Sequence, residues 1–279
     1  MAARLIELPA GFPGDVAVIA TDFDRTLVAE DVTLRPRTLL VLARAREAGL
    51  HVIVVTGRMV RSLQQALAPA NLDDPFICYQ GAVVVGDHGR WLRHEPIPLD
   101  LARATIAALA DEGYSPNVYV DDELFVADDT PEARRYASLN RIDFHVVGDL
   151  LEWLEDPPTK LVAVGDPEQL DELEPRMKER FGENEHISKS LPHFLEFARA
   201  GVTKGSGMEF LAQHLGFARE QTIAFGDGEN DVELVEWAGY GIAVENAHER
   251  VKAVAEWICP PAADEGVAQV LEALLDSRG

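Results

Sequence analysis

Short apolar runs that each end in a polar or glycine-containing turn recur near both ends of the chain. Residues 16–20, 51–55 and 222–225 are mostly apolar and contain many β-branched side chains. Such uninterrupted runs are typical of strands that are buried on both faces of a parallel sheet. We therefore expect the two ends of the chain to contribute to one parallel β-sheet.

Helical patterns separate these runs, as the crossovers between parallel strands require. Residues 36–48 predict a helix, because Pro36 suits its first turn and Gly49 suits its C-terminal cap. A further strand at residues 76–79 would continue the same alternation of strand and helix. The remaining elements predicted for this part are helices at residues 59–68, 232–238, 247–255 and 266–275, a helix from near Lys204, and strands at residues 241–244 and 257–258.

The alternation stops at Gly81, where the pattern of the chain changes. Residues 83–93 predict a hairpin, and short strands then mix with helices up to about residue 190. The predicted fold class is α/β, with a Rossmann-like, doubly wound parallel-sheet core at residues 1–86 and 190–279 and an inserted α+β domain at residues 87–189. The elements predicted within the insertion are helices at residues 99–112 and 168–181 and strands at residues 117–120, 124–127, 144–147 and 161–164.

The formal net charge of −23 excludes the basic surface that nucleic acids or anionic membranes require. No apolar run is long enough to span a bilayer, and the first nine residues lack the long apolar segment of a signal peptide. We expect a soluble cytoplasmic protein that binds neither nucleic acid nor membrane. The sequence leaves open whether it is a monomer or a small homo-oligomer.

Polar clusters follow three of the predicted buried strands directly. Because the carboxyl ends of parallel strands open onto one edge of the sheet, these clusters are expected to lie together there. Close carboxylates repel each other and gain from a bound cation, and oxygen ligands suit Mg²⁺. Each cluster alone could equally be an ordinary polar turn. The clusters are Asp22 with Asp24, Thr56 with Gly57 and Arg58, and Asp227 with Asn230 and Asp231.

Lys204 lies in the sequence GVTKGSG at the start of a predicted helix. The lysine precedes the glycine that it would follow in a nucleotide-binding P-loop, so that kind of site is excluded. A lysine at a helix N-terminus is unfavourable to the helix dipole. A specific role for Lys204 is therefore favoured over that of a surface lysine.

These residues, in this order, resemble the haloacid dehalogenase-like hydrolase superfamily. The sequence DFDRTL from Asp22 is similar to its first motif, Thr56 to its second, Lys204 to its third, and GDGEND from Gly226 to its fourth. The insertion resembles the C2 type of cap domain. The sequence NAHERVK from Asn246 is similar to the Cof-type branch, whose cap is of subtype C2B.

Two positions depart from the pattern of the family. Arg25 stands where these phosphatases usually have glycine, which could alter the turn or bring a cation near the cap and an anionic substrate. Gln80-Gly81 stands where Asn-Gly is frequent. Both departures concern substrate specificity more than the chemistry.

The resemblance implies a Mg²⁺-dependent phosphatase that acts on a small phosphorylated metabolite, such as a sugar phosphate or a phosphorylated cofactor. Asp22 would be the nucleophile and Asp24 the acid and base, and the inserted domain would cover the site and contact the substrate. The implied catalytic residues are Asp22, Asp24, Thr56 and Lys204. The implied substrate-binding residues are Thr56, Gly57, Arg58, Lys204, Arg25 and Asn230. The implied metal ligands are Asp22, the backbone carbonyl of Asp24, Asp227 and Asp231.

Two alternative functions remain open from the sequence. A phosphotransferase or mutase of the same fold would pass the phosphoryl group to a second alcohol instead of to water. A non-enzymatic phosphoacceptor or metabolite-binding regulator could also combine Asp, Thr and Lys around Mg²⁺. Asp24 disfavours the regulator, because a lasting phosphorylated switch has no use for a group that speeds hydrolysis.

Overall fold

The computed structural model describes residues 6–278. Residues 1–5, where the segment compared with a signal peptide begins, lie outside the described residues. The strands, in chain order, are β1 (Val18–Thr21), β2 (His51–Val54), β3 (Phe76–Cys78), β4 (Val83–Val85), β5 (Trp91–His94), β6 (Asn117–Val120), β7 (Glu123–Val126), β8 (His145–Val146), β9 (Lys160–Val164), β10 (Glu185–Leu191), β11 (Phe194–Arg199), β12 (Thr222–Gly226), β13 (Tyr240–Val244) and β14 (Trp257–Cys259). The α-helices are α1 (Pro36–Glu47), α2 (Val60–Leu67), α3 (Leu99–Asp111), α4 (Pro131–Asn140), α5 (Leu150–Trp153), α6 (Pro167–Phe181), α7 (Lys204–Leu215), α8 (Val232–Trp237), α9 (Glu249–Val254) and α10 (Gly266–Arg278).

A five-stranded parallel sheet has the order β14-β13-β12-β1-β2. Val18 of β1 pairs with Thr222 of β12 on one side and with His51 of β2 on the other. The two ends of the chain therefore meet at the centre of one sheet, and the α/β class with a parallel central sheet is confirmed. Val18 and Ala20 pack in one apolar cluster with side chains of α7 and α8.

The strand at Phe76–Cys78 does not extend this parallel sheet, which corrects the prediction from the alternating pattern. It pairs antiparallel with β4 in a separate sheet of order β3-β4-β5, and one parallel bridge joins Val55 to Ile77. The apolar run is only three residues long, and β4 follows after a single turn. The nearby hairpin partner supplies the hydrogen bonds that the sequence pattern had assigned to a parallel neighbour.

The chain divides into two compact units. The first comprises the described parts of Met1–Arg58, Leu63–Leu92 and Thr203–Gly279, and the second comprises Met59–Ser62 and Arg93–Val202. The second unit thus ends later than the predicted boundary at residue 189, because β10 and β11 pair with each other and β11 pairs with β9.

A mixed six-stranded sheet of order β10-β11-β9-β6-β7-β8 forms the second unit. Helices α3, α5 and α6 pack on one face of it, around buried side chains such as Leu109, Leu161, Leu173 and Phe197. This arrangement is the α+β architecture expected for the insertion. Among residues 6–278, no helix is both long enough and apolar enough to span a lipid bilayer.

The hairpin turn between β6 and β7 explains why Met59–Ser62 belong to the second unit. Asp121 and Asp122 both have positive φ, of 49° and 61°, as the turns of two-residue hairpins require. The Asp122 carboxylate accepts hydrogen bonds from the backbone N–H groups of Val60 (2.7 Å) and Arg61 (2.8 Å). It thereby satisfies two donors of the first turn of α2, which that helix cannot satisfy itself.

Candidate active site

The polar clusters of the first unit lie where three neighbouring strands end. Asp227 follows β12, Asp22 follows β1, and Thr56 lies two residues after β2, so their strands stand side by side in the order β12-β1-β2. Asp22 donates its backbone N–H to the carbonyl of Phe225 (3.0 Å), which extends the pairing of β1 and β12 up to the site. The parallel order therefore brings together side chains that are about 200 residues apart in sequence.

The Asp22 carboxylate is buried, with 5% of the residue exposed. Burial raises the pKa of this carboxyl well above its ordinary value, the Lys204 ammonium opposes that shift, and the carboxylates of Asp231 and Asp227 add to it. A buried carboxylate that lies close to other negative charges is stabilised by any cation that enters the cluster. Asp22 thus lies in a setting that favours both a bound cation and reaction with an electrophile.

Lys204 supplies a cation to the cluster. Its Nζ donates to Asp22 Oδ1 and Asp231 Oδ1 at 2.5 Å each, and only 1% of the residue is exposed. Burial lowers the pKa of this ammonium, but the two carboxylates more than offset that effect, and the pKa is raised overall. The lysine therefore stays charged where the helix dipole alone would disfavour it.

A capping box fixes the position of Lys204 at the first turn of α7. Thr203 Oγ1 accepts from the backbone N–H of Ser206 (3.1 Å), and Ser206 Oγ accepts from that of Thr203 (2.9 Å). These bonds satisfy donors that the helix leaves open at its start. The backbone of Lys204 is thus held beside the carboxylates by its own helix.

Asp231 and Asp227 have different contacts. Asp231 is fully buried, and its Oδ2 accepts from the backbone N–H groups of Asp227 and Gly228, both at 2.9 Å. Asp227 Oδ1 accepts from Thr26 Oγ1 at 3.0 Å. Burial, followed by the Asp231 charge, raises the pKa of Asp227 to about 6. Asp231 therefore organises the loop, whereas the Asp227 oxygens face groups of the loop after β1.

The cluster fits a hard divalent cation. Asp22, Asp227 and Asp231 each offer a carboxylate oxygen, and these three atoms lie within 4.8 Å of one another. Three buried carboxylates exceed the single positive charge of Lys204, and oxygen donors are those that Mg²⁺ prefers. The side chain of Asp24, whose backbone carbonyl was the predicted ligand, does not belong to this group of three.

Asp24 is paired with Arg58 instead. The guanidinium donates from Nε to Asp24 Oδ2 and from Nη2 to Asp24 Oδ1, both at 2.6 Å, and it lies 5.2 Å from the centre of the Phe23 ring. Arg58 is largely shielded, whereas the Asp24 side chain is 41% exposed. Arg58, which follows Thr56 of the second motif, is thus the ionic partner of Asp24 in the first motif. The spacing of these residues in the sequence did not predict this pair.

Arg25 has the left-handed backbone conformation that glycine adopts most easily. Its φ of 60° lies in the left-handed region, and its carbonyl accepts from Asn246 Nδ2 at 2.8 Å. Arg25 Nε lies 3.7 Å from Asp227 Oδ2, with half of the side chain exposed. Arg25 therefore has a backbone conformation that glycine favours, and it places a cation beside a candidate metal ligand.

Thr56, Gly57 and Asn230 surround Gln80. Thr56 is buried, and its Oγ1 accepts from the backbone N–H of Arg58 at 3.2 Å. Gln80 Oε1 accepts from Asn230 Nδ2 at 2.9 Å. A Cβ atom at Gly57 would lie 2.4 Å from Gln80 Nε2, so the amide end of Gln80 packs directly against this glycine. The predicted substrate residue Asn230 thus lies beside the residue that replaces the frequent asparagine.

Sequence reasoning assigned no role to two residues of this site. Thr26 binds Asp227, and Thr203 caps the helix that carries Lys204. Thr26 lies inside the first motif, so its position was a signal that could have found it. Thr203 precedes Ser206 by three residues, which is the spacing of a capping box.

The sequence and fold match known proteins over most of the chain. Residues 19–271 match the family model of the haloacid dehalogenase-like hydrolases. A protein of Escherichia fergusonii named HMP-PP phosphatase is 30% identical over 234 residues, covering 84% of this chain and 86% of the relative. A protein of the same name from Shigella flexneri is 29% identical over 236 residues.

Solved structures agree with this assignment. The crystal structure of a Thermotoga maritima protein covers 92% of this chain and 97% of its own, with 30% identity and a TM-score of 0.83. A haloacid dehalogenase-like hydrolase from Bacteroides thetaiotaomicron, at 25% identity, has a TM-score of 0.84 over 92% of this chain and 98% of its own. The chain therefore belongs to the haloacid dehalogenase-like hydrolases, and it is a phosphatase of the Cof type within them.

Proposed function

We propose that this chain is a Mg²⁺-dependent phosphatase that hydrolyses a small phosphorylated metabolite through an aspartyl-phosphate on Asp22. The observation that carries the proposal is the buried Asp22 carboxylate, which lies beside the Lys204 ammonium and close to Asp227 and Asp231. A carboxylate can approach a phosphate dianion only where cations offset the repulsion. Lys204 is one such cation, and the three carboxylates are a binding place for another.

The reaction would proceed in two steps. An Asp22 oxygen attacks phosphorus, the bond from phosphorus to the ester oxygen breaks, and the Asp24 carboxyl gives its proton to the departing oxygen. Water then attacks the phosphorus of the aspartyl-phosphate, Asp24 takes the proton of that water, and the Asp22 carboxylate and inorganic phosphate are released. One carboxyl group can serve both steps because the first leaves it as the base that the second needs.

The remaining polar residues would bind the phosphoryl oxygens. Lys204 Nζ and Thr56 Oγ1 would donate to them, and charge on these oxygens is what such donors stabilise in phosphoryl transfer. Gly57, Arg58, Arg25 and Asn230 are the further residues that we propose to contact the substrate. Asp22, Asp227 and Asp231, together with the Asp24 carbonyl, would hold Mg²⁺, which when bound supplies charge neutralisation for the phosphoryl group.

The names of the relatives and the charge of the chain guide the choice of substrates to test. The relatives are named HMP-PP phosphatase, and HMP-PP is therefore the first compound to test. Sugar phosphates and phosphorylated cofactors are the other candidates, and such metabolites make the cytoplasm the proposed location. Since the net charge is −23, an anionic substrate must be attracted by the local cations of the site.

Release of inorganic phosphate from a panel of these compounds and p-nitrophenyl phosphate, with Mg²⁺ and then with EDTA, tests the proposal. We expect metal-dependent release that is abolished in Asp22→Asn and unchanged in Asp276→Asn, which alters a half-exposed carboxylate paired with Arg44. Formation of a new phosphate ester when a second alcohol is added, with p-nitrophenol formed but no matching inorganic phosphate, would favour a phosphotransferase. A phosphorylated form that persists for hours without release would favour a regulator.

A further inference from the structure

Arg25 contacts one of the candidate metal ligands from an unusual backbone position. Its φ of 60° is rarely adopted by residues other than glycine, asparagine and aspartate. The bond from Asn246 Nδ2 to the Arg25 carbonyl holds this turn. The side chain therefore starts next to the Asp24 position and reaches Asp227 from the loop after β1.

Both carboxylate oxygens of Asp227 face groups of this loop. Oδ1 accepts from Thr26 Oγ1 at 3.0 Å, and Oδ2 lies 3.7 Å from Arg25 Nε. Asp227 is also one of the three residues whose carboxylate oxygens lie within 4.8 Å of one another. A cation bound to this group would therefore lie only a few ångströms from the guanidinium, and the two positive charges would repel each other.

The two cations of the cluster differ in how easily they can move. Lys204 is buried and donates to two carboxylates at 2.5 Å, so it cannot leave without exposing paired charges. Arg25 makes a longer contact and has half of its side chain exposed. Because the arginine side of this pair is open to solvent, whereas Asp227 is buried, the Arg25 guanidinium can turn into water more easily than Lys204 can leave the cluster.

We propose that Arg25 competes with the divalent cation for Asp227 and thereby weakens the binding of Mg²⁺ to the substrate-free protein. This inference rests on the proposed function, because it assumes that the three carboxylates bind Mg²⁺. In the metal-free protein the Arg25 guanidinium balances part of the negative charge of Asp227, and it must turn away from Asp227 when the metal binds. The glycine that is usual at this position has no such charge, so the metal affinity of this chain is set by its own departure from the family pattern.

Isothermal titration of the metal-stripped protein with Mg²⁺, without substrate, tests the inference independently of activity. Arg25→Gln removes the charge and keeps a residue with the same reluctance to adopt positive φ, whereas Arg25→Lys keeps the charge. We expect Arg25→Gln to lower the dissociation constant by about tenfold and Arg25→Lys to stay within about twofold of the wild type. The difference in dissociation constant between Arg25→Gln and the wild type should become smaller at high salt, because the Arg25 charge is exposed and is screened by dissolved ions.

One control separates this effect from a change in net charge alone. Arg44→Gln makes the same change in net charge at a half-exposed arginine of α1 that pairs with Asp276, and it should leave the affinity unchanged. If Arg25→Gln does not fold, Arg25→Asn replaces it, because asparagine tolerates positive φ.

The outcomes distinguish the inference from the proposed function. Equal Mg²⁺ affinity in wild type and Arg25→Gln overturns the competition and leaves the metal site standing. An equal increase in Mg²⁺ affinity in Arg25→Gln and Arg44→Gln also overturns the competition, since the change in net charge alone would then explain it. Absence of Mg²⁺ binding in every variant overturns both the competition and the metal site.

Discussion

Arg58 and Asp24 form a two-pronged ion pair in which each carboxylate oxygen accepts a hydrogen bond of 2.6 Å from a different guanidinium nitrogen. Arg58 follows β2 and Asp24 follows β1, so the pair joins the loops after two adjacent strands. Two parallel hydrogen bonds fix the plane of a carboxylate more strictly than one does. We infer that Arg58 is a positioning residue for the proposed acid and base.

Arg58→Lys tests this role, because lysine cannot form the two parallel bonds. We expect kcat/KM for an alkyl phosphate to fall by about 10- to 100-fold, the range that a poorly placed general acid loses. The fall for p-nitrophenyl phosphate should be much smaller, since its leaving group departs without a proton. Steady-state kinetics with both substrates measure the difference.

The control for Arg58→Lys is Arg37→Lys, which alters another two-pronged pair, that of Arg37 with Glu272. It should leave both values of kcat/KM unchanged. An equal loss for the two substrates in Arg58→Lys, with a matching rise in KM, would show that Arg58 acts through substrate binding alone and does not position Asp24.

Gly81 allows the loop after β3 to approach the start of α7 closely. Its φ is +110°, and an added Cβ would lie 2.1 Å from the carbonyl oxygen of Thr203, the cap residue before Lys204. We expect Gly81→Ala to lower the free energy of unfolding by about 2–4 kcal/mol and to lower kcat, because Thr203 must move. Urea unfolding and phosphatase assays measure both effects.

Gly216→Ala is the matched control for Gly81→Ala. Gly216 also has positive φ, of +78°, but among the described residues no atom beyond its chain neighbours lies within 4 Å of the added Cβ. Backbone strain alone should then lower the free energy of unfolding by about 1–2 kcal/mol, with kcat unchanged. The same loss of kcat in both variants would contradict the role assigned to the contact with Thr203.

Glu185 makes the stability of the second unit depend on pH. It is buried, its Oε2 accepts from Thr105 Oγ1 at 2.9 Å, and among the described residues its Oε1 has no hydrogen-bond partner. Burial raises the pKa of this carboxyl from 4.5 to about 7. Between these values the folded state binds more protons than the unfolded state, so stability falls as pH rises through that window.

Glu185→Gln should remove this dependence, because glutamine resembles the neutral acid. We expect a gain of about 1–3 kcal/mol in the free energy of unfolding at pH 8 and little change at pH 4.5. Urea unfolding at both pH values measures it, with Glu183→Gln at an exposed position as the control. An equal gain at both pH values would contradict the account.

The position of the site could be predicted from sequence because it depends on strand order. Buried parallel strands end at one edge, so the side chains after β1, β2 and β12 had to meet there. Lys204 was found by its unfavourable place at a helix start. The partners of long side chains could not be predicted, since the Arg58–Asp24 pair depends on side-chain rotamers that spacing does not encode.

The sequence patterns did not predict strands β10 and β11, and for β10 there is a physical reason. β10 has the sequence EHISKSL, in which only Ile187 and Leu191 are apolar, so neither an apolar run nor a regular alternation marks it. Its pairing with β11 stabilises it instead. A polar strand of this kind is identified by its neighbours in the sheet, and these are known only once the fold is known.

The central claim is that Asp22 carries the phosphoryl group, and direct trapping tests it. In Asp24→Asn the second step loses its base, while p-nitrophenyl phosphate still needs no acid in the first step. We predict that acid quenching of this variant after one turnover leaves a phosphoryl adduct on the peptide that contains Asp22, as measured by mass spectrometry. The adduct should be absent from the double variant Asp22→Asn, Asp24→Asn. Release of p-nitrophenol without any adduct, or an adduct on another residue, would contradict the account.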